Sequence, residues 1–110
     1  MAPPLTQLIN DLNNEQNFSA RLEAVSNLSW YTDNAVIDLL LIALRDPYFR
    51  VREKAAHALE RTYDPRVVDP LVAAVTDIPS VRDAALEALQ SRELSNELQK
   101  LISSRNYDQY

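Results

Sequence analysis

The stretch Val51-Arg52-Glu53-Lys54-Ala55-Ala56-His57-Ala58-Leu59 returns thirty residues later as Val81-Arg82-Asp83-Ala84-Ala85-Leu86-Glu87-Ala88-Leu89. A fainter copy, Ala20-Arg21-Leu22-Glu23-Ala24-Val25-Ser26-Asn27-Leu28, lies 31 residues upstream and keeps the Arg, one Ala and the closing Leu. A second block repeats between these, since Val36-Ile37-Asp38-Leu39-Leu40-Leu41-Ile42-Ala43-Leu44 aligns with Val67-Val68-Asp69-Pro70-Leu71-Val72-Ala73-Ala74-Val75 at an offset of 31. Leu5, Leu8, Ile9 and Leu12 stand where its first copy belongs. Two alternating blocks at a fixed period of this length are the signature of a stacked array, in which each unit buries its apolar face against the next.

Each block reads as a helix. Leu5, Leu8, Ile9 and Leu12 fall at i, i+3, i+4 and i+7, one side of a 3.6-residue turn, and period-two alternation is absent. Asp46-Pro47, Asp64-Pro65 and Ile78-Pro79-Ser80 punctuate the pattern. Each places a capping or turn residue beside a proline with a fixed φ. Asp64 is expected to cap a helix with Pro65 at its first position, Asp33 or Asn34 to cap the helix beginning near Ala35, and Ser80 with Asp83 to form a capping box. Pro70 falls in the first turn or so of its helix, where a missing N–H is tolerated. Helices are predicted near 4–13, 19–31, 35–45, 49–62, 66–76, 80–91 and 95–104. The fold expected is all-α: an α-solenoid, or α-α superhelix, of about three helical-hairpin repeats over 4–31, 35–62 and 66–91, with a C-terminal capping helix at 95–104. Residues 1–110 then form one domain.

The alanines at 55, 56, 58, 84, 85 and 88 let helix axes approach closely, while Leu44, Leu59, Val75 and Leu89 fill the layer between them. On that reading Ala58→Leu overpacks the stack at a cost of about 1–3 kcal/mol. Polar residues in the first pair (Asn10, Asn13, Asn14, Gln16) and in the last helix (Glu97, Gln99, Lys100, Ser103, Ser104) give the expectation of a complete, capped array.

At these residues the chain resembles the HEAT-like repeat family named for the phycobilisome bilin lyases. The resemblance is carried by Asp46, Val51, Arg52, Ala55, Ala56, Ala58 and Leu59, followed by Asp64, Arg66, Val67 or Val68, Pro70 and Leu71. It covers most of residues 5–104 and is strongest from 35 to 90. Members usually carry Gly where Glu60 and Tyr63 stand here. What the resemblance implies is a protein-binding repeat module, or alternatively a subunit or accessory of a bilin lyase acting on phycobiliproteins. No bilin-handling residue maps onto this chain.

Composition narrows the functional classes. Hydrophobic residues make up 46% and charged residues 25%, the balance of a folded globular chain rather than a disordered one. Cysteine is absent, which removes disulfides, thiolate nucleophiles and cysteine-rich metal sites. Glycine is absent too, which removes Gly-rich phosphate loops and nucleophile elbows. The longest apolar run, Leu39 to Leu44, is far short of a membrane span, and Met1-Ala2-Pro3-Pro4 lacks the features of a secretory signal, so a cytoplasmic location is expected. Eleven Lys and Arg against sixteen Asp and Glu give a net charge of −5, the wrong sign for a chain that grips phosphate backbones.

No catalytic, cofactor-binding or metal-ligating set emerges. His57 is the one histidine and has no nucleophile or second histidine in register, and Asp38, Asp69 and Asp83 lie on different helices without ligand spacing. Arg21, Arg52 and Arg82 share one register and are read as a structural ladder, each bridging turn carboxylates such as Asp46 and Asp77 or helix-terminal carbonyls between repeats. The basic residues between 45 and 66 alternate with Asp46, Glu53, Glu60 and Asp64 and read as a solvated mixed face. Nucleic-acid binding through them is the weaker alternative. Aromatic residues cluster at helix ends: Phe18, Tyr48 and Phe49 before second helices, Trp30, Tyr31 and Tyr63 after them. If second helices line the concave surface, the partner-binding positions are Phe18, Leu22 and Ser26, then Phe49, Glu53 and His57, then Ser80, Asp83 and Glu87. That groove would run from apolar to acidic and take another protein.

Overall fold

The computed structural model describes residues 4–29, 31, 34–62 and 64–91. Helix α1 spans Leu5–Leu12, α2 Phe18–Leu28, α3 Asn34–Ala43 and α4 Phe49–Leu59; a 3₁₀ turn at Pro65–Val67 leads into α5, Val68–Ala74, and α6 is Pro79–Ser91. Among the described residues there is no strand. The helix expected at 95–104, the cap at Asp33, and Trp30 and Tyr63 lie outside the described residues.

Local chemistry sets the boundaries. The Asn17 side chain accepts from the Ala20 N–H at 3.0 Å and starts α2. Asp64 accepts from the Arg66 N–H at 2.9 Å, with Pro65 opening the 3₁₀ turn. Pro70 has no N–H to give the Arg66 carbonyl, so the element begins with a tighter bond, Val67 N–H to Asp64 C=O at 3.2 Å, and the α-helix proper starts only at Val68. The capping box expected from Ser80 and Asp83 does not form. Pro79 occupies the first position of α6, which puts Ser80 inside the helix, and Asp83 turns to Arg82 instead. Helix ends are made without a left-handed residue: no described residue has positive φ. In a chain lacking glycine, the last turns tighten to i→i+3 bonds, as from Asp46 N–H to Ala43, Thr62 N–H to Leu59 and Asp77 N–H to Ala74.

The helices pair as antiparallel hairpins, α1 with α2, α3 with α4 and α5 with α6. The second helices α2, α4 and α6 also pack on one another in sequence, whereas the first helices pack chiefly on their own partners. The core threads this arrangement: Leu8, Val25 and Leu28 in the first pair, Val36, Leu40, Val51, Ala55 and Leu59 in the second, Val67, Leu71, Val81, Ala85 and Leu89 in the third. Ala55, Ala56, Ala85 and Ala88 are fully buried and allow the close approach of α4 to α6. Ala58 differs, being partly exposed beside a surface groove, so a larger side chain has room there. The overpacking expected at Ala58 belongs to Ala55 and Ala85, which have none. No helix among the described residues is long and apolar enough to cross a membrane.

Candidate interaction surface

Two arginines tie the turns of successive hairpins together. Arg21, on α2 and only 7% exposed, donates from Nε and Nη2 to the two carboxylate oxygens of Asp46 at 2.8 and 3.1 Å. Its Nη1 donates back to the carbonyls of Asn14 and Glu15 at 2.8 and 3.1 Å. One repeat on, Arg52 donates to both oxygens of Asp77 at 2.9 and 3.1 Å, and its Nη1 to the carbonyls of Asp46 and Pro47 at 2.8 and 3.1 Å. Asp46 therefore receives Arg21 on its side chain and Arg52 on its backbone. The result is one hydrogen-bonded relay along the turns that join the helices of each pair. Bidentate arginine is suited to this because its planar fork satisfies a carboxylate and still has an N–H left for a carbonyl.

The Arg52 guanidinium, hydrogen-bonded to the Asp77 carboxylate, holds that carboxyl below its ordinary value, helped by the Ile78 N–H and opposed by partial burial. A carboxylate whose folded pKa is depressed stabilises the fold above its unfolded pKa, and that contribution is lost as pH falls through the folded value. The stability difference between wild type and Asp77→Asn is thus expected to be constant near neutrality and to shrink as pH drops below the ordinary value of 3.8. Urea midpoints measured from neutral to acidic pH test this. A gap that stays constant down to strongly acid pH would mean that the charge of Asp77 does not hold the turn.

Arg82 does not continue the relay among the described residues. Its side chain is 46% exposed and makes a single 3.2 Å contact to the neighbouring Asp83. Arg66 forms a separate exposed link on the first-helix side, to Asp38 at 2.7 Å and Asp64 at 3.2 Å. There Asp64 is held below its ordinary value chiefly by the Arg66 backbone N–H.

A family model for HEAT repeats matches residues 3–90, spanning all three hairpins and both rungs of the relay. The chain belongs to the HEAT-repeat family. Its described fold is an all-α, HEAT-like solenoid. No curated protein matches the sequence.

In this HEAT-repeat protein three aromatic side chains, Phe18, Tyr48 and Phe49, gather at one end of the second-helix layer. Phe18 opens α2 and is 48% exposed, with its ring centroid 4.5 Å from that of Tyr48. Tyr48 in turn stands 5.4 Å edge-on from Phe49, the first residue of α4, and the Arg50 guanidinium lies 5.7 Å over the Phe49 ring. Tyr48 and Phe49 also pack against the core, so the exposed Phe18 ring rests on a fixed base. From this corner a groove runs between α2 and α4. Leu22, Val25, Ser26 and Ser29 form one wall, and Arg50, Glu53, Lys54, His57, Ala58 and Arg61 the other.

Of the positions singled out in the sequence, Phe18, Leu22, Ser26, Phe49, Glu53 and His57 thus share one corner and groove between α2 and α4. Asp83 and Glu87 are exposed on α6 and line none of that groove. Ser80 is a poor contact residue, since its hydroxyl is buried and has no hydrogen-bond partner among the described residues. The expected apolar-to-acidic gradient is therefore replaced, between α2 and α4, by an aromatic corner leading into a basic groove. The sequence places Arg50, Lys54 and Arg61 on a mixed-charge face, yet none of them enters an ion pair among the described residues. Their spacing is the signal for this: positions 50, 54 and 57 are i, i+4 and i+7, one stripe of α4, and Arg61 follows in the turn just after it. Among the described residues, no group of three or more His, Asp or Glu side chains could hold a metal ion.

Proposed function

We propose that the chain is a non-catalytic protein-interaction module that binds its partner on the second-helix face, at the corner formed by Phe18, Tyr48 and Phe49. HEAT repeats are commonly protein-interaction modules, which supports the general reading. The observation that carries the specific one is Phe18, a large exposed ring resting at a tilt against the Tyr48 ring. Interface hot spots are rigid aromatic anchors whose ordering cost has already been met in the free protein. The packing of second helices on one another, with first helices chiefly on their own partners, supports taking the second-helix side as the inner side of the array. A cytoplasmic setting and the absence of an enzymatic role are part of the proposal.

Capture of partners from a soluble cell lysate, with wild type and Phe18→Ser side by side, tests the assignment. Phe18 is exposed, so the variant should fold, which circular dichroism checks. A specific partner retained by wild type and lost by the variant is the expected result; equal retention would sink the aromatic corner as the anchor. The narrower role of a bilin-lyase accessory rests on the repeat motif around Val51, Arg52, Ala55 and Leu59 alone, and predicts that the captured partner is a phycobiliprotein.

A further inference from the structure

We infer that the groove between α2 and α4 takes an acidic peptide segment of the partner, its carboxylates lying along the stripe Arg50, Lys54, His57 and Arg61. The inference rests on the reading of the second-helix side as the binding face and specifies the chemistry of what lies there. All four stripe residues are exposed. The only described interaction of their side chains is that of Arg50 with the Phe49 ring.

Arg21, Arg52, Arg66 and Arg82 each meet a carboxylate. Among the described residues Arg50, Lys54 and Arg61 do not, and neither does Arg45, which stands apart from the groove; what sets the groove off is that it gathers three such cations along one wall. Among the described residues Glu53 is the single acid lining the groove, against Arg50, Lys54, Arg61 and His57. The opposite wall adds no competing charge. Its two hydroxyls are already engaged, Ser26 donating to the Leu22 carbonyl at 3.1 Å and Ser29 to the Ser26 carbonyl at 2.7 Å. The groove therefore presents donors and positive charge from α4 and a largely apolar flank from Leu22, Val25 and Ala58.

Geometry and long-range charge choose between kinds of anion. From Arg50 to His57 the helical part of the stripe covers about 10 Å at the helical rise per residue, and Arg61 extends it from the following turn. A short acidic segment with carboxylates at i, i+4 and i+7, and a further one beyond them, matches it. A nucleic acid would not stop at the stripe: duplex DNA carries about one charge per 1.7 Å and would extend over a surface whose net charge is −5. For a peptide confined to the groove, acidic residues more than about 10 Å away are largely screened in ordinary salt, while the cations it touches are not. The field of the whole chain thus disfavours a polyanion and tolerates a short acidic peptide.

The test is fluorescence anisotropy with a labelled 15-residue alanine-based helical peptide carrying Glu at i, i+4, i+7 and i+11. Controls are the same peptide with Gln at those positions and a labelled 15-nucleotide single-stranded DNA. Wild type is expected to bind the Glu peptide saturably and at least tenfold more tightly than the Gln peptide, with affinity falling as salt rises. Lys54→Glu/Arg61→Glu should weaken binding tenfold or more, while the charge-matched Arg45→Glu/Arg82→Glu, exposed and off the stripe, should change it less than twofold. Circular dichroism verifies that both variants fold. No saturable binding of the Glu peptide, equal weakening by both double variants, or tighter binding of the DNA than of the Glu peptide each overturns the inference. The aromatic corner is judged separately by Phe18→Ser, so either assignment can fail without the other.

Discussion

Replacing Arg21 with Met is expected to lower the unfolding free energy by about 3 kcal/mol, the low end of what breaking a buried ion pair costs. Methionine keeps most of the aliphatic stem and its packing, so the loss isolates the guanidinium. What remains is an Asp46 carboxylate with a side chain only 10% exposed, holding the Tyr48 N–H alone, and two turn carbonyls at Asn14 and Glu15 stripped of their donor. The cost falls on the Asp46 carboxylate, which water reaches poorly, while the carbonyls of the exposed Asn14 and Glu15 can turn to water. Adding Asp46→Asn removes the orphaned charge while retaining an acceptor for Tyr48, and the double variant should recover part of the loss. Arg66→Ala provides the comparison. Arg66 touches two carboxylates, one of them at 2.7 Å, yet its side chain is 46% exposed, and solvent-exposed pairs contribute little because water and salt screen them. Urea unfolding followed by circular dichroism ranks the three. If Arg21→Met costs no more than Arg66→Ala, the relay along the turns is not what fastens one hairpin to the next.

The same contrast explains what could be read from the residue order alone. The stacked helical hairpins were legible because their information is local: apolar residues at helical spacing, alanines where axes approach, prolines at the turns, and an offset close to thirty that repeats the set. Arg21 and Arg52 were legible for the same reason, since a polar residue recurring once per unit on a buried face must be satisfied by something that also recurs. Helix ends were less so. The expected helix over 49–62 stops at Leu59 and that over 66–76 is split, because ending without glycine tightens the last turn and Pro70 withholds a bond from the first. Charge pairing on the surface was hidden, because partners come from other helices: Arg52 meets Asp77 and Arg66 meets Asp38, 25 and 28 residues away. Counting acids and bases along residues 45–66 averages over faces that point in different directions. Only their place on the exposed face separates Arg50, Lys54 and Arg61, which have no such partner among the described residues, from Arg52, which has one.

Leu59→Ala is expected to cost about 3 kcal/mol, within the 2–5 kcal/mol typical of truncating a buried leucine to alanine. Leu59 is wholly inaccessible and closes the central repeat in register with Leu28 and Leu89, both buried. Its helix, α4, packs against α2, α3 and α6 and so touches all three hairpins. A void there weakens the central hairpin and both interfaces it makes. In a one-dimensional array neighbouring units are stable largely through those interfaces, so the ends lose support together. With a total stability of about 5–15 kcal/mol for a domain of ordinary size, a loss of this magnitude threatens the single cooperative transition as well as its midpoint. The urea slope should therefore fall along with the midpoint, as terminal hairpins begin to unfold separately from the centre. Leu22→Ala, at a partly exposed position in the groove, removes the same atoms from a site that water already reaches and should cost less than half as much. A Leu59→Ala variant with unchanged slope and a cost no larger than that of Leu22→Ala would show that the three hairpins are held by something other than the packing of their second helices.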